Sequence, residues 1–402
     1  MHTVFFELLQ VAIGNRASLS IVPNEGQWKE LFALAKKQAL VGICYAGILR
    51  LPKEQMPSQM FLLKWAGLAT KIKEKNNYLN ERCKEVCSRF IQDGFNCCIL
   101  KGQGNLCNYP EDLRIFRNPG DIDVWVKPPS SSPLDGEYDV PIAIRNYSGI
   151  RGVIEYVLLQ HRLAGTEIPK VNYHHVDWEF KNVPVEVHFR PSWMNCPWHN
   201  RRLQKWCKEN EQWNSCEYNG FNIPSASFNV IYQLVHIYRH LFNEGIGLRQ
   251  LLDYYFVLRA LHMKTSSIPL KGGNVDGNSF SEEDFVGLNE EIMHTLSQFG
   301  MKKFVAAVMY VLQKVFAIPF EYLLCAPDTK RGEFLLNEIM LAGNFGKFDK
   351  RNTISAKEGY VSRFLRRQKR FMRFLTQYPS EVIWGPYFTV KQRAWRMIHG
   401  WR

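Results

Sequence analysis

The segments DIDVWV (residues 121–126) and VEVHF (residues 185–189) decide the fold of this chain. In the first segment Asp121 and Asp123 are two residues apart, so in a β-strand their side chains project from the same face. The apolar residues that alternate with them project from the opposite face, which predicts a strand that covers a hydrophobic core. The second segment alternates in the same way and places Glu186 on its polar face. These two segments therefore predict the central strands of a sheet.

Two further runs complete the predicted sheet. Residues 95–100 form a short apolar run, and residues 173–180 form a strand-like segment of similar length. Residues 181–184 separate the last two strands and suit a hairpin connection, whereas residues 150–163 predict a helix that follows the second strand. The predicted fold class is therefore α+β, with a small mixed β-sheet.

Helical patterns flank the sheet on both sides, because apolar residues recur there at helical spacing. We predict an N-terminal helical region (residues 1–92), a core that holds the sheet (residues 93–224) and a C-terminal helical domain with a basic end (residues 225–402). Within the first region, residues 28–51 predict one helical segment that stops at Pro52.

The acidic residues of the two central strands predict a metal site. If these strands are neighbours, Glu186 joins Asp121 and Asp123, and three carboxylates at short range repel each other unless a cation lies between them. Magnesium prefers such oxygen ligands and keeps water or phosphate in its remaining positions. Carboxylates on adjacent strands can hold two ions about 3.5–4 Å apart, which suits in-line displacement at phosphorus. A pair of ordinary surface carboxylates is the plainer alternative for the aspartates alone.

Basic residues between the first two strands predict contacts with phosphate. Lys101 and Gly102 follow the first strand. Glycine lets a phosphate approach the backbone closely, and the lysine supplies a positive charge. Arg114 and Arg117 come next and can also reach phosphate oxygens. The ordered set of strand, Lys-Gly pair, arginines and acidic strands is more specific than any of its parts.

The histidines near the acidic strands predict a supporting role. His188 shares a face with Glu186, so we predict that it hydrogen-bonds a metal-binding carboxylate, and a role as general base is the alternative. On a strand His174 and His175 face opposite sides, so at most one of them is predicted to face the acidic residues.

The runs ILKGQGNLCNYPEDLRIFRNPGDIDVWV (residues 99–126) and HHVDWEFKNVPVEVHFRP (residues 174–191) resemble an uncharacterised nucleotidyltransferase family of the DNA polymerase β-like superfamily. The pattern of that family is LKG, then an arginine and D-I-D, then E-x-H. The resemblance implies a nucleoside triphosphate donor such as ATP, two magnesium (or manganese) ions and release of pyrophosphate. It also implies that Asp121, Asp123 and Glu186 are the catalytic metal ligands, and it points to a bacterial protein.

A second stretch, residues 234–255, resembles the helical segment that follows the catalytic sheet in this family. By that resemblance Arg249 contacts the nucleotide, and Lys101-Gly102 takes the place of the glycine-serine or glycine-glycine pair that is usual in the superfamily. The alternative for Arg249 is an ion pair with Asp253, four residues later on the same helix.

The charge of the chain is concentrated at one end. The net charge is +13, and residues 350–402 alone carry thirteen Lys or Arg against two acidic residues. Such a surface attracts phosphate, nucleic acid or anionic membrane. The segment also contains aromatic residues that could stack on RNA bases: Trp384, Tyr387, Phe388 and Trp395. RNA binding is therefore one prediction for this end, and a solvated helix face is the alternative.

The ten cysteines are scattered, and several lie in apolar segments, which predicts reduced thiols in a cytoplasmic protein. The chain contains no apolar run of about 18 residues, so no membrane span is predicted.

Two questions of function stay open at this point. The acceptor could be a small molecule, a protein side chain or RNA. The rival to an enzyme is a non-catalytic module that binds a nucleotide as a regulatory signal and releases no pyrophosphate. A purely helical interaction protein is a third alternative, but it gives Asp121, Asp123 and Glu186 no reason to share a face.

Overall fold

The computed structural model describes residues 1–128, 149–216, 218–265, 282–352 and 359–401. Three charged residues of the basic C-terminal segment, Lys357, Glu358 and Arg402, lie outside this part of the chain. Among the helices that the structure describes, none combines the length and the apolar character needed to cross a membrane.

The described chain combines many helices with a small mixed sheet, which confirms the predicted α+β class. The helices are α1 (His2–Ile13), α2 (Glu25–Lys37), α3 (Val41–Arg50), α4 (Gln59–Gln92), α5 (Glu111–Arg114), α6 (Gly149–Leu163), α7 (Pro197–Glu209), α8 (Ala226–Asn243), α9 (Leu248–Thr265), α10 (Glu282–Gln298), α11 (Lys302–Phe316), α12 (Thr329–Ala342), α13 (Tyr360–Met372) and α14 (Pro379–Ile398). The strands are β1 (Asn96–Ile99), β2 (Ile122–Lys127), β3 (His175–Phe180), β4 (Val183–His188), β5 (Trp213–Cys216) and β6 (Phe221–Pro224).

The main sheet has four strands in the order β1-β2-β4-β3. β2 pairs in parallel with β4, whereas β1 pairs antiparallel with β2 and β3 antiparallel with β4. The apolar face of the sheet forms one core with α4 and α6, because alternate strand residues all turn to that side. Members of this core are Val86, Phe90, Val124, Ile154, Val157 and Val187.

The predicted hairpin between β3 and β4 is confirmed. Lys181 and Asn182 connect the strands, and both have positive φ angles, of 50° and 64°. A two-residue turn of this kind matches the twist of the strands. β4 begins at Val183, two residues earlier than predicted. Pro184 is accommodated because the pairing with β2 starts only at Val185, so its missing N–H removes no hydrogen bond from that ladder.

Two features of the chain differ from the predictions. The predicted helical segment over residues 28–51 is two helices, α2 and α3, because Ala39 between them adopts a left-handed conformation with φ of 55°. The hairpin of β5 and β6 was not predicted. Its strands have four residues each, which is too short for an alternating pattern to stand out.

The chain forms two compact units, each built from separate stretches of sequence. The helical unit comprises Met1–Glu74, Asn108–Asn118 and Asn229–Ile383. The sheet unit comprises Lys75–Cys107, Pro119–Phe228 and Trp384–Arg402. The boundaries expected at residues 92 and 224 stay predictions.

A buried carboxylate stabilises the helical unit. Asp349 is almost inaccessible and forms ion pairs with Arg351 at 2.8 Å and Arg373 at 3.2 Å. Burial alone would raise the pKa of Asp349, but the hydrogen bonds from Arg351 and Arg373 lower it to about 2. The folded state therefore favours the ionised carboxylate.

Asp349→Asn is expected to destabilise the protein at neutral pH by about 1.5–3 kcal/mol, because the buried carboxylate that accepts hydrogen bonds from Arg351 and Arg373 loses its charge. In the unfolded chain the pKa of this carboxyl is about 3.9, so the stabilisation is complete at pH values well above that pKa. It is progressively lost as the pH falls towards the folded-state pKa of about 2. Chemical denaturation of both proteins at several pH values checks this prediction. A stability difference that did not shrink between pH 5 and pH 3 would contradict it.

Candidate metal and nucleotide site

The polar faces of β2 and β4 meet in the sheet unit. The two strands run in parallel, and Asp123 lies directly opposite Glu186. Neighbouring residues on adjacent strands are close enough for their side chains to interact. The prediction that the two acidic strands are neighbours is therefore confirmed, and Asp123 and Glu186 lie on the same face of the sheet.

Two basic side chains contact the carboxylate of Asp123. Lys101 Nζ lies 2.9 Å from Asp123 Oδ1, and His188 Nε2 lies 3.0 Å from the same oxygen. His188 Nε2 also lies 3.2 Å from Glu186 Oε2. Asp123 is 1% exposed and His188 is fully buried, so these contacts occur out of reach of bulk water and are weakly screened.

The local charges show why this cluster suits a cation. Burial raises the pKa of Asp123, and the charges of Asp121 and Glu186 raise it further, while Lys101 and the hydrogen bond from His188 act in the opposite direction. The pKa of Asp123 is consequently above its ordinary value. Additional positive charge at this point would stabilise the ionised carboxylate.

The partners of Asp123 respond to the same charges. Burial alone would raise the pKa of Glu186, but the hydrogen bond from His188 and the charges of His175 and Lys101 bring it well below its ordinary value. Burial alone would lower the pKa of His188, but its hydrogen bonds to Asp123 and Glu186 raise it. Glu186 therefore stays ionised beside a histidine that favours its charged form.

The pairing of β1 with β2 brings Lys101 to this site. Because these strands are antiparallel, the end of β1 lies beside the start of β2, and Leu100 N donates a hydrogen bond to Asp123 O at 2.9 Å. Gly102 follows with a φ of 60°, a conformation that favours glycine. Asp121 immediately precedes β2 and is half-buried, and its charge acts on Asp123.

The family model described as "Uncharacterised nucleotidyltransferase" matches residues 24–268, which is more than half of the chain. The chain belongs to this nucleotidyltransferase family. It is accordingly a transferase of nucleotidyl groups. The match includes the acidic strands and Lys101, and it ends before the basic C-terminal segment. No curated protein and no solved structure matches the chain.

One prediction about the histidines of this nucleotidyltransferase is wrong. His174 and His175 both lie beside His188, with ring centroids 5.2 and 5.3 Å from it. Strand alternation does not apply to His174, because β3 begins only at His175. The backbone carbonyl of His174 instead accepts hydrogen bonds from the N–H groups of Phe189 and Arg190, which follow β4.

The predicted phosphate-binding arginines Arg114, Arg117 and Arg249 belong to the helical unit. Arg117 forms a two-point ion pair with Asp253, with both N–O distances at 2.7 Å. Arg249 Nη1 donates to the carbonyl of Asn118 at 2.9 Å. Asp253 is thus held by Arg117, and the phosphate-binding roles of the three arginines stay predictions.

The aromatic residues near the C-terminus of this nucleotidyltransferase pack within the sheet unit. Phe388 stacks on Trp193, with ring centroids 4.1 Å apart. Trp384 contacts Trp198, and Trp395 contacts Tyr173. Tyr387 is the exposed member of the four, with 47% of its surface accessible. Stacking on RNA would therefore compete with existing contacts for most of these rings.

Proposed function

We propose that this protein transfers a nucleoside monophosphate from a nucleoside triphosphate to a hydroxyl acceptor, with release of pyrophosphate. Asp121, Asp123 and Glu186 would bind divalent magnesium or manganese. The observation that best supports this proposal is the parallel register that sets Asp123 opposite Glu186, with Lys101 Nζ 2.9 Å from Asp123.

The donor atoms fit a divalent cation of this kind. The cluster offers carboxylate oxygens, which magnesium prefers, and the neighbouring negative charges raise the pKa of Asp123. When bound, the ions would polarise the acceptor hydroxyl and neutralise the phosphates. The fit does not require a large rearrangement of β2 or β4, because both acids already share one face.

The remaining residues of the site have separate roles in this proposal. Lys101 would move its positive charge from Asp123 to the triphosphate, and Gly102 would let a phosphate approach the backbone. His188 would hold the carboxylates of Asp123 and Glu186 in position through Nε2, while its Nδ1 lies 3.4 Å from the carbonyl of Arg190. We therefore propose a positioning role for His188.

Lys101→Ala is expected to raise KM for the triphosphate by about tenfold to a hundredfold, which corresponds to about 1.5–3 kcal/mol for a hydrogen bond to a charged group. Steady-state kinetics over a range of triphosphate concentrations checks this. Lys127→Ala is the matched control, because Lys127 ends β2 and contacts Glu211 instead. If Lys101 serves only to neutralise Asp123, the variant will bind magnesium more tightly and keep its KM, which would contradict the proposed role.

Three acceptor classes remain in the proposal: a small molecule, a protein side chain and RNA. RNA binding would involve release of counterions, so affinity should fall steeply as salt is added. Binding that is absent or insensitive to salt would remove RNA from the proposal.

The alternative is a module that binds nucleotide for regulation. Pyrophosphate release from each of the four nucleoside triphosphates, with magnesium or manganese, distinguishes the two functions. The assay uses the protein alone and the protein in a cell extract that supplies acceptors. Metal-dependent pyrophosphate release supports the transferase, whereas tight triphosphate binding without release supports the regulatory module.

A further inference from the structure

Three histidines and one acid bring four potential metal-binding atoms together in the sheet unit. His174 Nε2 lies 3.0 Å from His175 Nδ1, which lies 3.5 Å from Glu186 Oε2. That oxygen lies 3.2 Å from His188 Nε2. The three histidines are buried, and their donor atoms all lie within 4.8 Å of one another.

Three of the six separations among these four atoms are close to those of a tetrahedral metal site. Four ligands about 2.0–2.1 Å from a zinc ion are separated from one another by about 3.3 Å. The observed separations of 3.0, 3.2 and 3.5 Å lie on either side of that value. Imidazole nitrogen suits zinc and neighbouring transition metals, whereas magnesium prefers oxygen.

The second ring nitrogens of His175 and His188 have polar neighbours, as those of metal-binding histidines do. His175 Nε2 lies 3.2 Å from Asp177 Oδ1 and 2.7 Å from Asn172 Nδ2. The Asp177 carboxylate can only accept and the Asn172 amide nitrogen can only donate, so the two contacts favour opposite protonation of Nε2. A metal bound at Nδ1 would place the ring proton on Nε2, where Asp177 would accept it. His188 Nδ1 faces the carbonyl of Arg190, which leaves Nε2 of that ring as the metal donor. Such outer contacts fix the orientation of metal-binding histidines.

The geometry points to a second metal site in this protein: a borderline transition-metal ion, of which zinc is the type, bound by His174, His175, His188 and Glu186. We call it the histidine site. It deepens the proposed function, because Glu186 would belong both to this site and to the magnesium centre. With the ion bound, His188 would position Glu186 through the metal rather than by a hydrogen bond, and Asp123 would keep its contact with Lys101. The ion would also fix the start of β3 to the end of β4.

Cobalt(II) provides a direct test, because a four-coordinate cobalt site absorbs visible light and magnesium does not. The full-length chain, without a histidine tag, is titrated with cobalt(II) and then with zinc. We expect one equivalent of cobalt to produce the bands of a four-coordinate ion and one equivalent of zinc to remove them. His175→Gln should weaken cobalt binding by about a hundredfold or more, since even loss of an outer contact weakens metal sites tenfold to a hundredfold.

Matched variants separate the histidine site from the proposed function. Asp121→Asn should abolish transfer and leave the cobalt spectrum unchanged, and His294→Gln, at an exposed histidine of the helical unit, should change neither. Asp177→Asn should weaken cobalt binding about tenfold to a hundredfold. A native protein that showed the cobalt spectrum but no transfer activity would overturn the proposed function alone.

Two further outcomes decide the histidine site even if a glutamine variant folds poorly. His174→Cys should give a sulfur-to-cobalt charge-transfer band in the near ultraviolet, because the thiolate would replace the imidazole as ligand. Zinc should raise the Tm of the native protein and not that of His175→Gln. The proposal is overturned if the native protein gives only the weak cobalt spectrum of a hydrated ion. It is also overturned if His175→Gln and His174→Cys give the same cobalt spectrum as the native protein.

Discussion

Asp123→Asn is expected to lower kcat/KM for nucleotidyl transfer by at least about a thousandfold, or about 4 kcal/mol in the transition state. Asp123 is the most buried acid of the site and lies between Asp121 and Glu186 in the charge network. An amide removes the negative charge that a divalent cation needs, although it has nearly the same shape. Metal-dependent neutralisation of the reacting phosphates accounts for several kcal/mol in such sites.

Rates of pyrophosphate release at several magnesium concentrations check this prediction. Glu179→Gln is the control, because Glu179 lies exposed on β3 of the same sheet. Thermal unfolding of each variant separates loss of chemistry from loss of fold, since Asp123→Asn also leaves Lys101 and His188 without their buried partner. Activity of a folded Asp123→Asn protein within tenfold of the native value would remove Asp123 from the site.

Asp253→Ala is expected to destabilise the helical unit by about 3–5 kcal/mol, because removal of one partner leaves a buried charge uncompensated. The carboxylate of Asp253 accepts two hydrogen bonds from Arg117, and Tyr109 donates a third at 2.6 Å. Arg117 is 3% exposed, so water cannot readily replace the lost partner. This contact joins residues 136 positions apart in the chain.

Urea unfolding followed by circular dichroism measures this effect. Glu30→Ala, an exposed position in α2 of the same unit, should change the free energy of unfolding by less than about 0.5 kcal/mol. An Asp253→Ala protein that lost less than 1 kcal/mol would show that Arg117 finds another partner. In that case Arg117 would not depend on Asp253, and it would be more available for the predicted contact with phosphate.

The sequence predicted the parts of the site that follow from local periodicity. Alternation within DIDVWV and VEVHF placed Asp123 and Glu186 on polar faces, and the structure brings those faces together by pairing β2 with β4. The sequence also placed Lys101 just after the first strand, but the antiparallel pairing that brings it beside Asp123 was not predicted.

Features that depend on contacts between residues far apart in the chain could not be predicted from the sequence. His174 turned towards His188 because its backbone is bound by the chain after β4, which no local pattern records. Arg249 and Asp253 have the spacing of a helix pair, yet Asp253 is held by Arg117. The two neighbouring histidines at 174 and 175, followed by Asp177, were the one local signal for the histidine site.

The central claim is metal-dependent nucleotidyl transfer at Asp121, Asp123 and Glu186. Two parallel reactions test it most directly, one with triphosphate labelled at the α-phosphate and one with the same triphosphate labelled at the γ-phosphate. Each is run in cell extract with the protein, after chelation of metal and after restoration of magnesium. We predict that the α-label appears on an acceptor and the γ-label in pyrophosphate, only after magnesium is restored and not with Asp121→Asn. Transfer of the γ-label to the acceptor, or transfer of the α-label without metal, would contradict the account.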